Sequence, residues 1–248
     1  MSADWTPLRH ALVACRAQNI AVPFWWRDDD AVAPTPALDR LTDMARACGV
    51  PVHLAVIPSL ADPQLARALD PAWMRPVVHG WAHADHSQAH EKKNEFLTTR
   101  SGAVPEAARA LDTASALFGT ALTPMFVPPW NRINAQVMAA LPALGYRALS
   151  TFGARTAPLA APGLTQINTH IDPIWWRGSR DLVDPDQLIT QAAAHLDARR
   201  QGDEDGHEPL GLLTHHLVHS PQIWAFVQRF VQEMQDGGAA PWTMETDE

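Results

Sequence analysis

The chain has 248 residues, 46% of them hydrophobic and 19% charged, with a formal net charge of −8 at pH 7. That size and apolar share suit one globular domain with a substantial core. The acidic balance, with no run of Lys or Arg, argues against nucleic-acid and anionic-membrane partners, because both need a basic face.

Residues 1–18 carry no charged segment followed by an unbroken apolar stretch, so they do not read as a signal peptide. No later stretch approaches the roughly 18 apolar residues of a membrane-crossing helix. Cys15 and Cys48 lie far apart and outside any CxxC, and read as reduced thiols of a cytoplasmic protein.

In chain order, the apolar patterning predicts a strand over 20–27, a helix over 36–47, a strand over 52–57 and a helix over 62–68. There follow a strand over 76–79, a helix over 105–118, a strand over 124–127 and a helix over 135–144. Strands over 147–150 and 164–168, a helix over 185–200, a strand over 211–214 and a helix over 221–234 complete the series. Proline stands at or near the start of several of these helices, and Gly49, Gly119 and Gly145 sit where helix C-caps belong. The charged stretch 199–209 reads as a surface loop, and the residues from about 236 as a frayed tail on a single domain spanning 1–248.

This alternation predicts an α/β protein with a mainly parallel sheet. Its polar clusters fall at the C-terminal ends of different strands, and such ends converge only if the sheet closes into a (β/α) barrel. Asp28, Asp29 and Asp30 follow the first strand; three adjacent carboxylates repel one another unless a cation compensates. His79 ends another strand and His83 lies four residues on, a spacing that on one helical turn turns both imidazoles toward one point. A carboxylate with two imidazoles leaves coordination positions open for water and substrate. His86 and His90 follow as surplus candidates.

The last strand delivers His215 and His216 to its end, and His215 is the candidate acid or base, with His216 and His219 equally able to be a helix-entry and a surface residue. In Pro128-Pro129-Trp130-Asn131 two residues lack an amide hydrogen, so the Trp130 and Asn131 amides are free to face a developing oxyanion, unless the segment is only a rigid turn. Trp175 and Trp176, beside Asp172, offer an apolar wall for a sugar ring or an acyl methyl.

The order and spacing of these motifs from Trp25 to His216 resemble the polysaccharide deacetylases of carbohydrate esterase family four, the chitooligosaccharide and peptidoglycan deacetylase group. The resemblance implies a deformed (β/α) barrel of about seven strands, and a hydrolase removing acetyl groups from an N-acetylated sugar or related small molecule. It implies one divalent metal held by Asp30, His79 and His83, zinc first with cobalt, nickel or manganese as alternatives. It makes Asp29 the base and His215 the acid, with Asp28-Asp29 the other register of the acidic pair. Trp130, Asn131 and Trp176 fall to substrate binding. The family's Arg-x-Pro-aromatic motif becomes Val127-Pro128-Pro129-Trp130, so the arginine that orients the base is missing there, with Arg27 and Arg132 as substitutes. Hydrolysis of another amide or an O-acetyl ester on the same site, or an idle glycan-binding barrel, are the alternatives.

Overall fold

The computed structural model describes residues 3–244. The elements run α1 (Thr6–Ala17), β1 (Pro23–Ala31), α2 (Pro36–Cys48), β2 (Val52–Val56), α3 (Pro63–Ala68), β3 (Met74–His79), α4 (Ala103–Phe118), β4 (Met125–Val127) and α5 (Ala135–Leu144). They continue through β5 (Ala148–Leu149), β6 (Leu159–Ala161), β7 (Leu164–Gln166), α6 (Pro185–Gln201), β8 (Leu210–Thr214), α7 (Pro221–Asp236) and β9 (Ala240–Pro241). The helix starts follow local chemistry. Thr35, Asn134 and Ser220 accept the amides of Leu38, Val137 and Ile223, each three residues on, while Asp184 accepts those of Asp186 and Gln187.

The sheet has the order β6-β7-β5-β4-β3-β2-β1-β8, with β9 beside β1 and only the β6–β7 pair antiparallel. Between β7 and β8 the regular ladder is interrupted. There Thr169 bridges Phe152, Ile171 bridges Leu212, and the His170 and Leu213 amides bond across the seam at 2.7 and 2.8 Å. The result is an α/β barrel deformed at that seam. Its interior is filled by Trp25, Ala55, Val77, Met125, Val127, Ala148 and Ile167. Two larger apolar clusters lie outside it, one under α1, α2, α6 and α7 and the other under α4 and α5.

All seven expected strands are present, but four features differ from the sequence reading. The first strand starts later and runs on to Ala31, because β2 and β8 flank it on both sides and pair its acidic segment at Asp28↔Leu54 and Asp28↔Thr214. The helix α1 is additional; its Leu8, Ala11, Leu12 and Cys15 face the core at helical spacing. The stretch 199–209 is a surface loop only in part: Gln201, Gly202, Asp203 and His207 are exposed, but its ends are anchored. Arg199 and Glu208 are buried, and Glu208 accepts the Arg155 and Asn168 amides at 2.9 Å each. The tail from about 236 is not frayed as far as Met244, because Trp242 donates its amide to Phe24 O and stacks on buried His53 beneath Trp25. Cys15 and Cys48 are both free.

Gly211 sits where the seam is tightest. A Cβ there would lie 2.5 Å from Trp25 Nε1, 2.6 Å from Asn168 O and 2.7 Å from the Thr169 Cα. Two of those atoms are backbone and cannot step aside. Gly211→Ala is therefore expected to destabilise the fold by about 1–3 kcal/mol, the range for an overpacked core. Guanidinium unfolding followed by circular dichroism measures it; an unchanged midpoint would show that the seam is looser than described.

Candidate metal centre and active site

Strand alternation places Trp25 and Arg27 inside the barrel and Trp26 and Asp28 outside it. Asp28 is fully buried against β8, where it accepts the Thr214 hydroxyl at 2.6 Å, the His216 amide at 3.0 Å and the His216 Nδ1–H. Burial pushes this carboxyl up, yet the adjacent His216 charge and its hydrogen bonds hold it below the usual carboxylate range. The first of the three aspartates thus clamps two strand ends together. His216 opens a short 3-10 helix, His216–Val218, and its buried side chain is also the partner in this clamp, which fixes the backbone beside His215.

Asp29 turns inward to Arg27. The guanidinium donates to Asp29 Oδ2 through Nη2 at 3.0 Å, and its Nε lies 2.9 Å from Oδ1, with both side chains almost wholly buried. The same group donates to Ser150 Oγ and to Asn131 Oδ1, each at 2.7 Å. The arginine absent from the turn after β4 is thus replaced in place by Arg27, approaching from β1. Arg132 points elsewhere, to the Lys93 carbonyl.

The β1–β2 register shifts between Asp28 and Ala31, and Asp30 takes a left-handed backbone with φ of 73°. This bulge swings the Asp30 carboxylate to His79 Nε2 at 3.1 Å and His83 Nε2 at 3.4 Å. His79 Nδ1–H donates to Val127 O at 3.0 Å, which leaves the Nε2 lone pair facing Asp30. The two histidines do not share a helical turn. Residues 80–83 form an irregular loop with left-handed Gly80 and His83, and it is this bend that returns the second imidazole to the first.

Among the described residues, these three are the group whose ligand atoms all lie within 4.8 Å of one another. One carboxylate and two imidazoles, one of them oriented by a carbonyl, fit a divalent cation. His86 and His90 are not part of the group. Burial works against charge on His79, but the carboxylates of Asp29 and Asp30 raise its proton affinity; burial and the neighbouring His79 lower that of His83. Burial opposes the charge on Asp30 too, yet His79 above all holds that carboxyl far below the usual range.

His215 is partly exposed at the end of β8, its ring edge-to-face with Trp176 at 4.7 Å. Trp176 donates its Nε1–H to Asp172 at 2.8 Å, and Asp172 lies within electrostatic reach of His215. Trp130 adopts φ of 56° and sets its ring 4.2 Å from that of His83. The Asn131 amide is not free, because it donates to Pro128 O at 2.9 Å. The Asn131 side chain instead accepts from Arg27, the arginine that holds Asp29, while the Trp130 amide makes no such bond among the described residues. Ser150 and Glu95, both buried at this end of the barrel, were not singled out in the sequence; isolated polar residues without a motif give no signal.

No sequence-family model and no curated protein sequence matches the chain. Solved structures do match. A family 4 carbohydrate esterase from Streptomyces lividans superposes with a TM-score of 0.58 at 17% identity, covering 90% of this chain and 93% of that one. The chain has the fold of the family 4 carbohydrate esterases. A polysaccharide deacetylase from Bacillus cereus gives 0.56 at 14% identity over 91% and 94% of the two chains. A family 4 pseudoenzyme from Bacillus anthracis gives 0.56 at 12% identity, over 88% of this chain and 62% of that one.

Two outcomes follow. Arg27→Ala leaves Asp29 buried without its cation, and is expected to cost about 3–5 kcal/mol in denaturant unfolding; a loss under about 1 kcal/mol would place Asp29 in water instead. Metal loading requires neutral imidazoles. Because the proton on His79 is held above the ordinary value of 6.5, apparent zinc affinity is expected to fall as pH drops through that value and to level off only above it. Calorimetric titration between about pH 5.5 and 8 reads this, and a flat profile would contradict it.

Proposed function

We propose that this protein is a metal-dependent hydrolase that removes an acetyl group from an N-acetylated sugar or a related small substrate. The observation that carries the proposal is the pair of carboxylates at the end of β1, where Asp29 is clamped by Arg27 and Asp30 is gathered with His79 and His83. A site that only bound metal would have no use for the buried arginine holding a second carboxylate beside it. The pseudoenzyme among the structural neighbours shows that this fold alone does not carry turnover, so the proposal rests on these residues rather than on the likeness.

A divalent cation at Asp30, His79 and His83, zinc first among those the donor set accepts, would polarise the acyl carbonyl and acidify the attacking water. Asp29, kept as an oriented carboxylate by Arg27, takes the proton from that water as its oxygen joins the acyl carbon. The Trp130 amide offers a hydrogen bond to the oxygen that becomes negative. His215 gives a proton to the sugar nitrogen as the carbon–nitrogen bond breaks, releasing acetate and a free amine. The rings of Trp130 and Trp176 stand beside His83 and His215 and form apolar walls for the sugar or the acetyl methyl. Among the described residues no helix is long and apolar enough to cross a membrane.

Metal content by mass spectrometry, together with acetate release from N-acetylated chitooligosaccharides, tests the proposal. Wild type is expected to hold about one equivalent of metal and His79→Ala to lose it. Asp29→Asn is expected to keep the metal while kcat falls about 10²–10⁴-fold. A fully active Asp29→Asn would remove Asp29 from the chemistry, and a wild type that takes up neither zinc nor cobalt would remove the reaction.

A further inference from the structure

The loop that carries the second imidazole cannot hold its shape on its own. Between His79 and His83 the chain makes no helix, and it passes through left-handed backbone at Gly80 (φ 57°) and again at His83 (φ 53°). A non-glycine residue in that region costs of order 1–3 kcal/mol and persists only where its surroundings enforce it. For His83 the enforcing group is fourteen residues beyond Trp81. The Glu95 carboxylate, fully buried, accepts the amide of Ala82 at 2.8 Å, that of Trp81 at 3.2 Å and that of Ala84 at 3.5 Å. Among the described residues no Lys, Arg or His nitrogen comes within 4.0 Å of it. Its charge is therefore met by the backbone amides flanking His83, the arrangement of an anion held in a backbone nest.

Glu95 is itself firmly seated. Its neighbour Phe96 is buried and packs edge-on against Phe126 at 5.0 Å, and the Phe96 carbonyl accepts the Asn134 amide at 2.9 Å. The Glu95 carbonyl accepts the Arg100 side chain at 3.2 Å. Gly80 is wedged beside the same carboxylate: a Cβ there would lie 2.3 Å from Glu95 Oε2 and 2.5 Å from the Pro129 ring. The loop is thus packed against a buried carboxylate and against the rigid turn that presents Trp130.

We propose that Glu95 is a positioning residue for the metal centre, its buried carboxylate gathering the amides on both sides of His83 so that this imidazole meets Asp30. The inference rests on the metal-centre reading above. If it is right, loss of the carboxylate loosens one ligand of three while Asp30 and His79 stay in place. Glu95 then sets affinity and coordination geometry without touching metal or substrate.

The test is titration with cobalt(II), read by calorimetry and by the visible absorption of the bound ion, on wild type, Glu95→Gln and Glu208→Gln. Glu208 is the control: it is a buried carboxylate that also accepts backbone amides, those of Arg155 and Asn168, and faces His170, but it lies by the start of β8, at the end of the strand away from His215. Both substitutions are near-isosteric and remove a comparable acceptor, so general loosening of the fold lowers the melting temperature in both. Glu95→Gln is expected to weaken cobalt binding about 10–100-fold and to alter the absorption bands, whereas Glu208→Gln leaves both unchanged. Cobalt binding by Glu95→Gln equal to wild type, with the same spectrum, overturns the role of Glu95 and leaves the centre standing. Equal weakening in both variants also overturns it, as a merely structural effect. A wild type that binds no cobalt overturns the centre and this inference together.

Discussion

The arrangement turns on one buried guanidinium. Arg27 has no exposed surface; its two Nη groups donate to Asp29, Ser150, Asn131 and the Thr151 carbonyl, and its Nε lies 2.9 Å from Asp29 Oδ1. A charge removed from water is tolerated only when paired and saturated with hydrogen bonds, and here the partners come from β1, from the end of β5 and from the turn after β4. The group that neutralises Asp29 therefore also fixes how three separate segments meet at the C-terminal end of the barrel. Filling the interior below it with Trp25 and its neighbours keeps water away and makes the ion pair dependent on its geometry.

Backbone strain gathers at the same end. Of the seven non-glycine residues with positive φ among the described residues, four belong to the site: Asp30, His83, Trp130 and Asn131. Three of them are held by contacts that do not involve a ligand. Asp30 follows a bulge fixed by strand pairing on both sides, His83 is bracketed by amides bound to Glu95, and Asn131 is tied to Arg27 and to Pro128 O. Such strain holds donor atoms where no relaxed helix or strand would present them. It is the structural form of preorganisation: the cost falls on folding, and the groups stand ready before substrate arrives.

The opposite end of the barrel is built differently. There buried His53, its pKa pushed down to about 3 by desolvation, stacks on Trp242 and meets Trp25 edge-on. This neutral imidazole serves packing, while His79, buried just as deeply near two carboxylates, keeps its proton more tightly than an ordinary histidine. Burial is common to both; the neighbouring charge separates them.

Alternating apolar segments placed seven strands and six helices in the sequence, and the strand-end position of Asp30, His79, His83 and His215 was legible because motifs of like-charged or metal-binding residues carry their own chemistry. What the sequence left open was decided by long-range geometry. The register of the acidic triplet follows from the end of β8, where Thr214 and, two residues on, His216 claim Asp28 and leave Asp29 and Asp30 for the site. The replacement for the missing arginine follows from strand alternation, which turns Arg27 into the barrel beside Asp29. The bend that brings His83 back to Asp30 depends on Glu95, a residue with no motif around it. The sequence by itself determined which elements form and which side chains could bind a cation, since both depend on local pattern. Only the tertiary structure decided which carboxylate does what, because that depends on partners up to 188 residues away along the chain.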